Sequence, residues 1–192
     1  MSASSFDPFA GIFIAQDQRP SHLEDVDVHS LTAFQRALLI IDGTVTRFLE
    51  AQMLEPIEIV DCGRTKEVLK KDHSWLELPK GNSIGSRRVL LQGKMTGRVY
   101  ASAASLVVPE RVKDAVGHPA QQIPEGLGRM LLNSRVEQYR ELLWYGKEPP
   151  SDLPGEMRGL TSEYCLTRTY RIIVNRLPTM MITEWIEFGT EA

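Results

Sequence analysis

Two features of the 192-residue chain combine residue types suited to anion or proton chemistry. Arg87 and Arg88 stand side by side at the start of a β-rich run, SRRVLLQ. Strand alternation sends their side chains to opposite faces. An arginine facing a protein interior stays charged and offers a forked pair of donors, which suits a carboxylate. A structural acid or a sheet edge explains most such pairs. The second feature is Glu184, set in the mostly apolar arm TMMITEWIEF. Alternation can expose it, Arg168 or Arg171 can pair with it, or a pocket can hold it. In a pocket, burial raises the pKa of a carboxyl group and lets it hold or move a proton.

The other reactive residue types form no pattern. His22, His29, His73 and His118 fall at loop-like places without metal-ligand spacing, so no zinc site is expected. Cys62 and Cys165 lie far apart and read as buried or incidental thiols in a reducing cytosol. Tyr139, Tyr145, Tyr164, Tyr170, Trp144 and Trp185 read first as core or rim aromatics, and Met180 and Met181 as packing. Hydrophobic residues at 42% and charged residues at 24% are ordinary for one globular domain with a sizeable core. A net charge of −3 with scattered basic residues argues against a nucleic-acid partner. No apolar run is long enough to span a bilayer, and the N-terminus lacks the basic start of a signal peptide. A cytoplasmic protein without membrane contact is expected.

The elements that must position these residues follow from pattern. Residues 1–29 read as an N-terminal extension with Phe6, Phe9, Ile12 and Phe13 as docking contacts, and residues 30–192 as the body. Thr32 is a helix cap, and Phe34, Leu38, Ile41 and Val45 recur at helical spacing. Asp42 and Gly43 interrupt that spacing, which predicts a helix over 32–41, a break, and a helix over 45–53 with Thr44 near its N-cap. A break of this kind leaves free N–H groups that favour an anion, although a plain kink between core helices is the commoner case. Strands are predicted over 56–62, 86–92 and 98–108, with the glycine-bounded segment 93–97 as a hairpin turn. Pro109 opens a helix over 109–116, residues 126–132 form a short helix, and 136–146 form a strand. Residues 66–73 read as charged surface and 147–161 as a loop. The chain closes on a hairpin, TYRIIV and TMMITEWIEF around an NRLP turn. The expectation is an α+β fold: a single antiparallel sheet of about six strands with helices packed on one face.

Three blocks carry a resemblance. They are LTAFQRALLIIDGTVTRFLEA; RRVLLQG with ASAASLVV; and LGRMLLNSRVEQYRELLWYG followed by TRTYRIIVNRLPTMMITEWIEF. In this order and spacing they resemble the chorismate lyase (chorismate pyruvate-lyase) family in its short bacterial branch. The resemblance covers about residues 31–188 and leaves out 1–29. It implies a chorismate lyase-like fold and conversion of chorismate to 4-hydroxybenzoate and pyruvate, with no metal or organic cofactor. Chorismate carries two carboxylates, so a binding arginine and helix-start N–H groups are required. An enolpyruvyl group must leave while the ring loses a proton and aromatises, work done by desolvation, orientation and charge placement.

By motif, the resemblance implies that Arg87 holds the ring carboxylate, with Arg88 as the residue one position out of register. It implies that Glu184 lies near the 4-hydroxyl, and that Leu127 with Gly128, and Thr44, contact the substrate, Leu127 and Thr44 through backbone groups. Thr44 departs from the ubiquinone-pathway branch, which usually has Met there and a bulkier residue than Gly43. Residues 43–46 and 123–131 are the expected flaps over the ligand. Two other functions share the fold: a chorismate-derived enzyme making another hydroxybenzoate, and a non-catalytic binder of small aromatic acids. A sensor of the kind that follows a DNA-binding domain is disfavoured, since about 30 residues without basic character precede the body. Oligomeric state is left open.

Overall fold

The structure, a computed structural model, describes residues 6–117, 136–153, 155 and 163–187. In chain order the main elements are α1 (Ala33–Ile40), α2 (Val45–Met53), β1 (Ile57–Val68), β2 (Ser83–Gly93), β3 (Val99–Val107), α3 (Pro109–Val116), β4 (Gln138–Glu148), β5 (Cys165–Val174) and β6 (Leu177–Glu187). The strands form one sheet in the order β1-β2-β3-β6-β5-β4, every pair antiparallel. One face carries the main core. Leu38 and Leu39 of α1, Val45 and Leu49 of α2, and Val112 of α3 are buried against it. The opposite face carries three smaller clusters, around Trp144, Leu76 and Cys165.

The local chemistry of α1 follows the sequence closely. The Thr32 hydroxyl accepts from the Gln35 N–H at 3.2 Å, while the Gln35 side chain accepts from the Thr32 N–H at 2.8 Å. This reciprocal box satisfies donors that a helix start otherwise leaves unpaired. The final hairpin is joined by Asn175 and Arg176 alone, both at positive φ, the geometry that matches the twist of paired strands. Leu177 and Pro178, expected in the turn, belong to β6. Pro178 has no N–H to donate, and the register shifts beside it.

β1 runs six residues beyond its expected end and takes in Lys66, Glu67 and Val68. It is an edge strand with charged, exposed residues, so its pairing with β2 left no alternating signal. Lys147 and Glu148, expected in a loop, end β4, and Glu148 is buried, accepting from the Thr167 hydroxyl and the Trp185 indole N–H. The helix expected over 126–132 lies outside the described residues.

Residues 6–29 pack onto the body. Phe9 and Phe13 are buried against Tyr145, with ring centroids 5.2 and 4.6 Å away. Of the other expected docking contacts, Phe6 and Ile12 are exposed. The arm runs along the free edge of β4, where Ile14 and Ala15 donate to the Leu142 and Leu143 carbonyls. The Gln16 amide both accepts from the Tyr145 N–H and donates to its carbonyl, each at 2.9 Å, as a neighbouring strand would. Gly146 is required here: a Cβ would sit 2.9 Å from the Glu24 carbonyl oxygen. No described helix is long and apolar enough to cross a membrane.

Glu55 organises the β2–β3 turn. Its carboxylate accepts from the Met95 and Thr96 N–H groups, the Thr96 hydroxyl and the Tyr100 hydroxyl. The Tyr100 hydrogen bond, with those from residues 95 and 96, outweighs desolvation and holds the Glu55 carboxyl at about 2, below its usual 4.5. A depressed carboxyl pKa contributes stability that is complete above about 4.5 and is lost as pH falls toward 2. Thermal melts across that window should show the gap between wild type and Glu55→Gln narrowing as pH falls; a pH-independent gap contradicts this role. Gly146→Ala should lower stability by about 1–3 kcal/mol in denaturant melts, since its obstacle is backbone. An unchanged midpoint contradicts the close approach of the arm.

Candidate active site

The site is built from two rows of residues on the core face of the sheet. Across the strands one row reads Arg87, Ser105, Ile182, Tyr170, and the next reads Val89, Ala103, Glu184, Arg168. Residues directly opposite in a pleated sheet share a face, so Arg87 and Glu184 point to the same side. β3 contributes only Ala103 and Ser105 between them. These small side chains leave the floor low, and a cavity stands over it. Its lining includes Thr44, Arg47, Arg87, Arg140, Tyr170 and Glu184. About 750 Å³ of space lies over this floor, open solvent at the mouth included.

Glu184 is buried, which removes the exposed-strand reading, and it sits in an ion pair. Arg168, directly across on β5, donates from Nε to Oε2 at 2.7 Å. The Tyr170 hydroxyl donates to Oε1 at 3.0 Å. Glu184 thus acts as a carboxylate that accepts at both oxygens. Arg168 is fully buried and donates from Nη1 to the carbonyls of Leu39 at 3.2 Å and Ile41 at 3.1 Å. These carbonyls end α1, where helix geometry leaves acceptors unpaired and favours a cation. One guanidinium therefore ties the carboxylate to the end of α1. Burial first, and then the Glu184 charge, raise the Tyr170 phenol above its ordinary value, so it remains a donor.

The break after α1 delivers α2 to the cavity. Thr44 is the N-cap of α2, but its side chain makes no capping bond. Thr44, Val45, Thr46 and Arg47 all line the cavity. The first-turn N–H groups lack intrahelical partners, which makes this a natural anion site. On the other side of the break, Arg140 donates to the exposed Asp42 carbonyl at 2.8 Å.

Arg87 is nine-tenths buried, and its Nε lies 3.6 Å from Asp61 Oδ2, beyond hydrogen-bond reach. That nitrogen has no hydrogen-bond partner among the described residues. Burial first, and then Arg64, push the guanidinium pKa down while Asp61 opposes; an arginine stays charged throughout. Arg88, one residue on, is absent from the cavity lining, as alternation requires.

The structure thus gathers Arg87, Glu184 and Thr44 around one cavity. Leu127 and Gly128, with the flap expected over 123–131, lie outside the described residues. Sequence reading did not single out Arg140 and treated Tyr170 as a core or rim aromatic. The signal available was period two: Arg168 and Tyr170 alternate with the same face as Leu166 and Ile172. No group of three or more His, Cys, Asp or Glu that could hold a metal occurs among the described residues.

Comparison with known proteins identifies a family and a fold. Residues 39–191 match the family described as chorismate pyruvate-lyase Rv2949c-like. A chorismate pyruvate-lyase of Mycobacterium tuberculosis is 25% identical over 171 residues, covering 84% of this chain and 83% of that protein. One from Mycobacterium leprae is 27% identical over 168 residues, covering 83% and 76%. Among solved structures, PhnF from Mycobacterium smegmatis aligns with a TM-score of 0.55 at 10% identity, over 76% of this chain and 64% of that one. The effector domain of PhnF aligns with a TM-score of 0.54 at 9% identity, over 78% and 96%. At such identities these structures attest the fold alone. With the family match spanning most of its length, the chain belongs to the chorismate pyruvate-lyase Rv2949c-like family.

Proposed function

We propose that this protein is a chorismate pyruvate-lyase, converting chorismate to 4-hydroxybenzoate and pyruvate. The observation that carries the reading is the placement of Arg87 and Glu184 on one face of the sheet, two strand spacings apart and beneath the start of α2. Two spacings correspond to about 10 Å between backbones. Long side chains reaching inward from both sides narrow that to the length of a substituted ring. Arg87 and the α2 N–H groups take the ring carboxylate. Glu184 accepts from the ring hydroxyl, using acceptor capacity left by Arg168 and Tyr170.

In the reaction the ring carbon bearing the hydroxyl loses its hydrogen. The bond from the adjacent ring carbon to the ether oxygen breaks, and its electrons leave with the enolpyruvyl fragment. That fragment gains one proton at its methylene carbon and becomes pyruvate, so atoms and charge balance. Aromatisation supplies the driving force. A fixed carboxylate beside the hydroxyl holds the ring and assists departure of the proton. The mycobacterial relatives that bear the chorismate pyruvate-lyase name support this assignment.

Purified protein incubated with chorismate should release 4-hydroxybenzoate and pyruvate in equal amounts, resolved by chromatography. Another hydroxybenzoate isomer would shift the assignment to a related chorismate enzyme, and binding without turnover would leave only a ligand-binding protein. Glu184→Gln should lower kcat by about a hundredfold or more. It should also lower stability by about 3–5 kcal/mol, because buried Arg168 loses its counter-charge. Turnover must therefore be compared well below its melting temperature, and full activity there would contradict the role. Arg87→Ala should raise KM for chorismate and Kd for 4-hydroxybenzoate together by about tenfold. The same effect from Arg88→Ala instead would move the register by one.

A further inference from the structure

We infer that Arg140 forms a second carboxylate subsite, which takes the carboxylate of the side group leaving the ring. The inference deepens the lyase reading and rests on it. Its ground is a parallel between two arginines. Arg87 is on β2 and Arg140 on β4, so in the strand order each stands two strands from Glu184 on β6. Arg140 pairs with Ile172, a residue of the core face, and both line the cavity. Its side chain is 5% exposed.

The two arginines also share an incomplete set of partners. Each has a buried Nε with no hydrogen-bond partner among the described residues. Each has an acid at the outer edge of ion-pairing distance and beyond hydrogen-bond reach: Asp61 at 3.6 Å from Arg87, and Asp42 Oδ1 at 3.7 Å from Arg140. The Asp42 side chain is 79% exposed, so water screens it. The firm contact of Arg140 is with the Asp42 backbone carbonyl, which carries no net charge. Arg168, by contrast, has its counter-charge in buried Glu184. A buried guanidinium whose acid makes no hydrogen bond is costly unless a ligand completes the pairing. Arg87 and Arg140 flank the cavity across four strand spacings, about 19 Å between backbones. With both side chains extended inward, the gap suits a ligand with carboxylates at two ends. A product with one carboxylate needs only Arg87.

The test separates substrate from product binding. KM and kcat for chorismate, and the calorimetric Kd for 4-hydroxybenzoate, are measured on wild type, Arg140→Gln and Arg140→Lys. Arg140→Gln should raise KM by about tenfold or more, and Arg140→Lys by less, while Kd for 4-hydroxybenzoate stays within about twofold. Retained product binding also reports that the variants fold. An unchanged KM overturns the inference, as does an equal loss for both ligands. A chorismate-specific loss in Arg47→Gln in place of Arg140→Gln overturns it too, by moving the subsite to the cavity mouth. Failure of the lyase reading looks different: wild type itself does not turn chorismate over. The calorimetric titration is then made with chorismate. Weaker chorismate binding by Arg140→Gln at unchanged 4-hydroxybenzoate affinity still supports the subsite, and any other result, no binding included, overturns it.

Discussion

The buried ion pair between Arg168 and Glu184 is the constraint on which the site depends. Two charges removed from water are tolerated only when geometry and additional hydrogen bonds compensate for lost hydration. Here the compensation links separate elements. Arg168 bonds Glu184 on the neighbouring strand and the last carbonyls of α1. Its guanidinium carbon also stands 5.0 Å from the ring centroid of Tyr170, whose hydroxyl bonds the other Glu184 oxygen. The helix end, two strands and the carboxylate therefore share one set of bonds. Removing a partner from such a pair costs about 3–5 kcal/mol, a large share of the stability of a single domain.

Fixing the end of α1 has consequences for the cavity. The chain leaves Ile41 in an extended conformation and starts α2 at Thr44, and Arg140 secures the Asp42 carbonyl between them. The first turn of α2 lies over the low floor made by Ala103 and Ser105. Positive charge gathers at the cavity from Arg87, Arg140 and the helix start, while Glu184 supplies the buried negative charge. An anionic ring with a hydroxyl group matches that distribution. The arm reaches the neighbourhood of this chemistry, where Ile12 and Ile14 line a second pocket with Asp42 and Arg140. It occupies the free edge of β4 and carries Phe9 and Phe13 into the core, which protects a strand end that would otherwise be open.

Much of the scaffold was legible because local rules and tertiary structure agree. Thr32 with Gln35, Pro109 at a helix start, and the period-two apolar rows of β2 and β6 all specify what they form. Legibility failed where pairing alone decides the outcome. Lys66–Val68 and Lys147–Glu148 are strand because a neighbouring strand offers backbone partners, and their charged side chains carry no sign of it. The site was legible in part for the same reason. Alternation alone separates Arg87 from Arg88. Glu184, however, has Arg168 and Tyr170 at its two oxygens, and only the register of β5 against β6 selects Arg168 over Arg171 as its partner. Arg140 carries no such signal, because its meaning lies in a buried Nε without a hydrogen-bond partner among the described residues, which only a folded chain displays.

The most direct test of the account is a crystal structure with 4-hydroxybenzoate bound. The product carboxylate should lie between the Arg87 guanidinium and the first-turn N–H groups of α2, with its hydroxyl against Glu184 and Arg168 still paired to that carboxylate. A product bound in the reverse direction, or outside this cavity, would contradict the account.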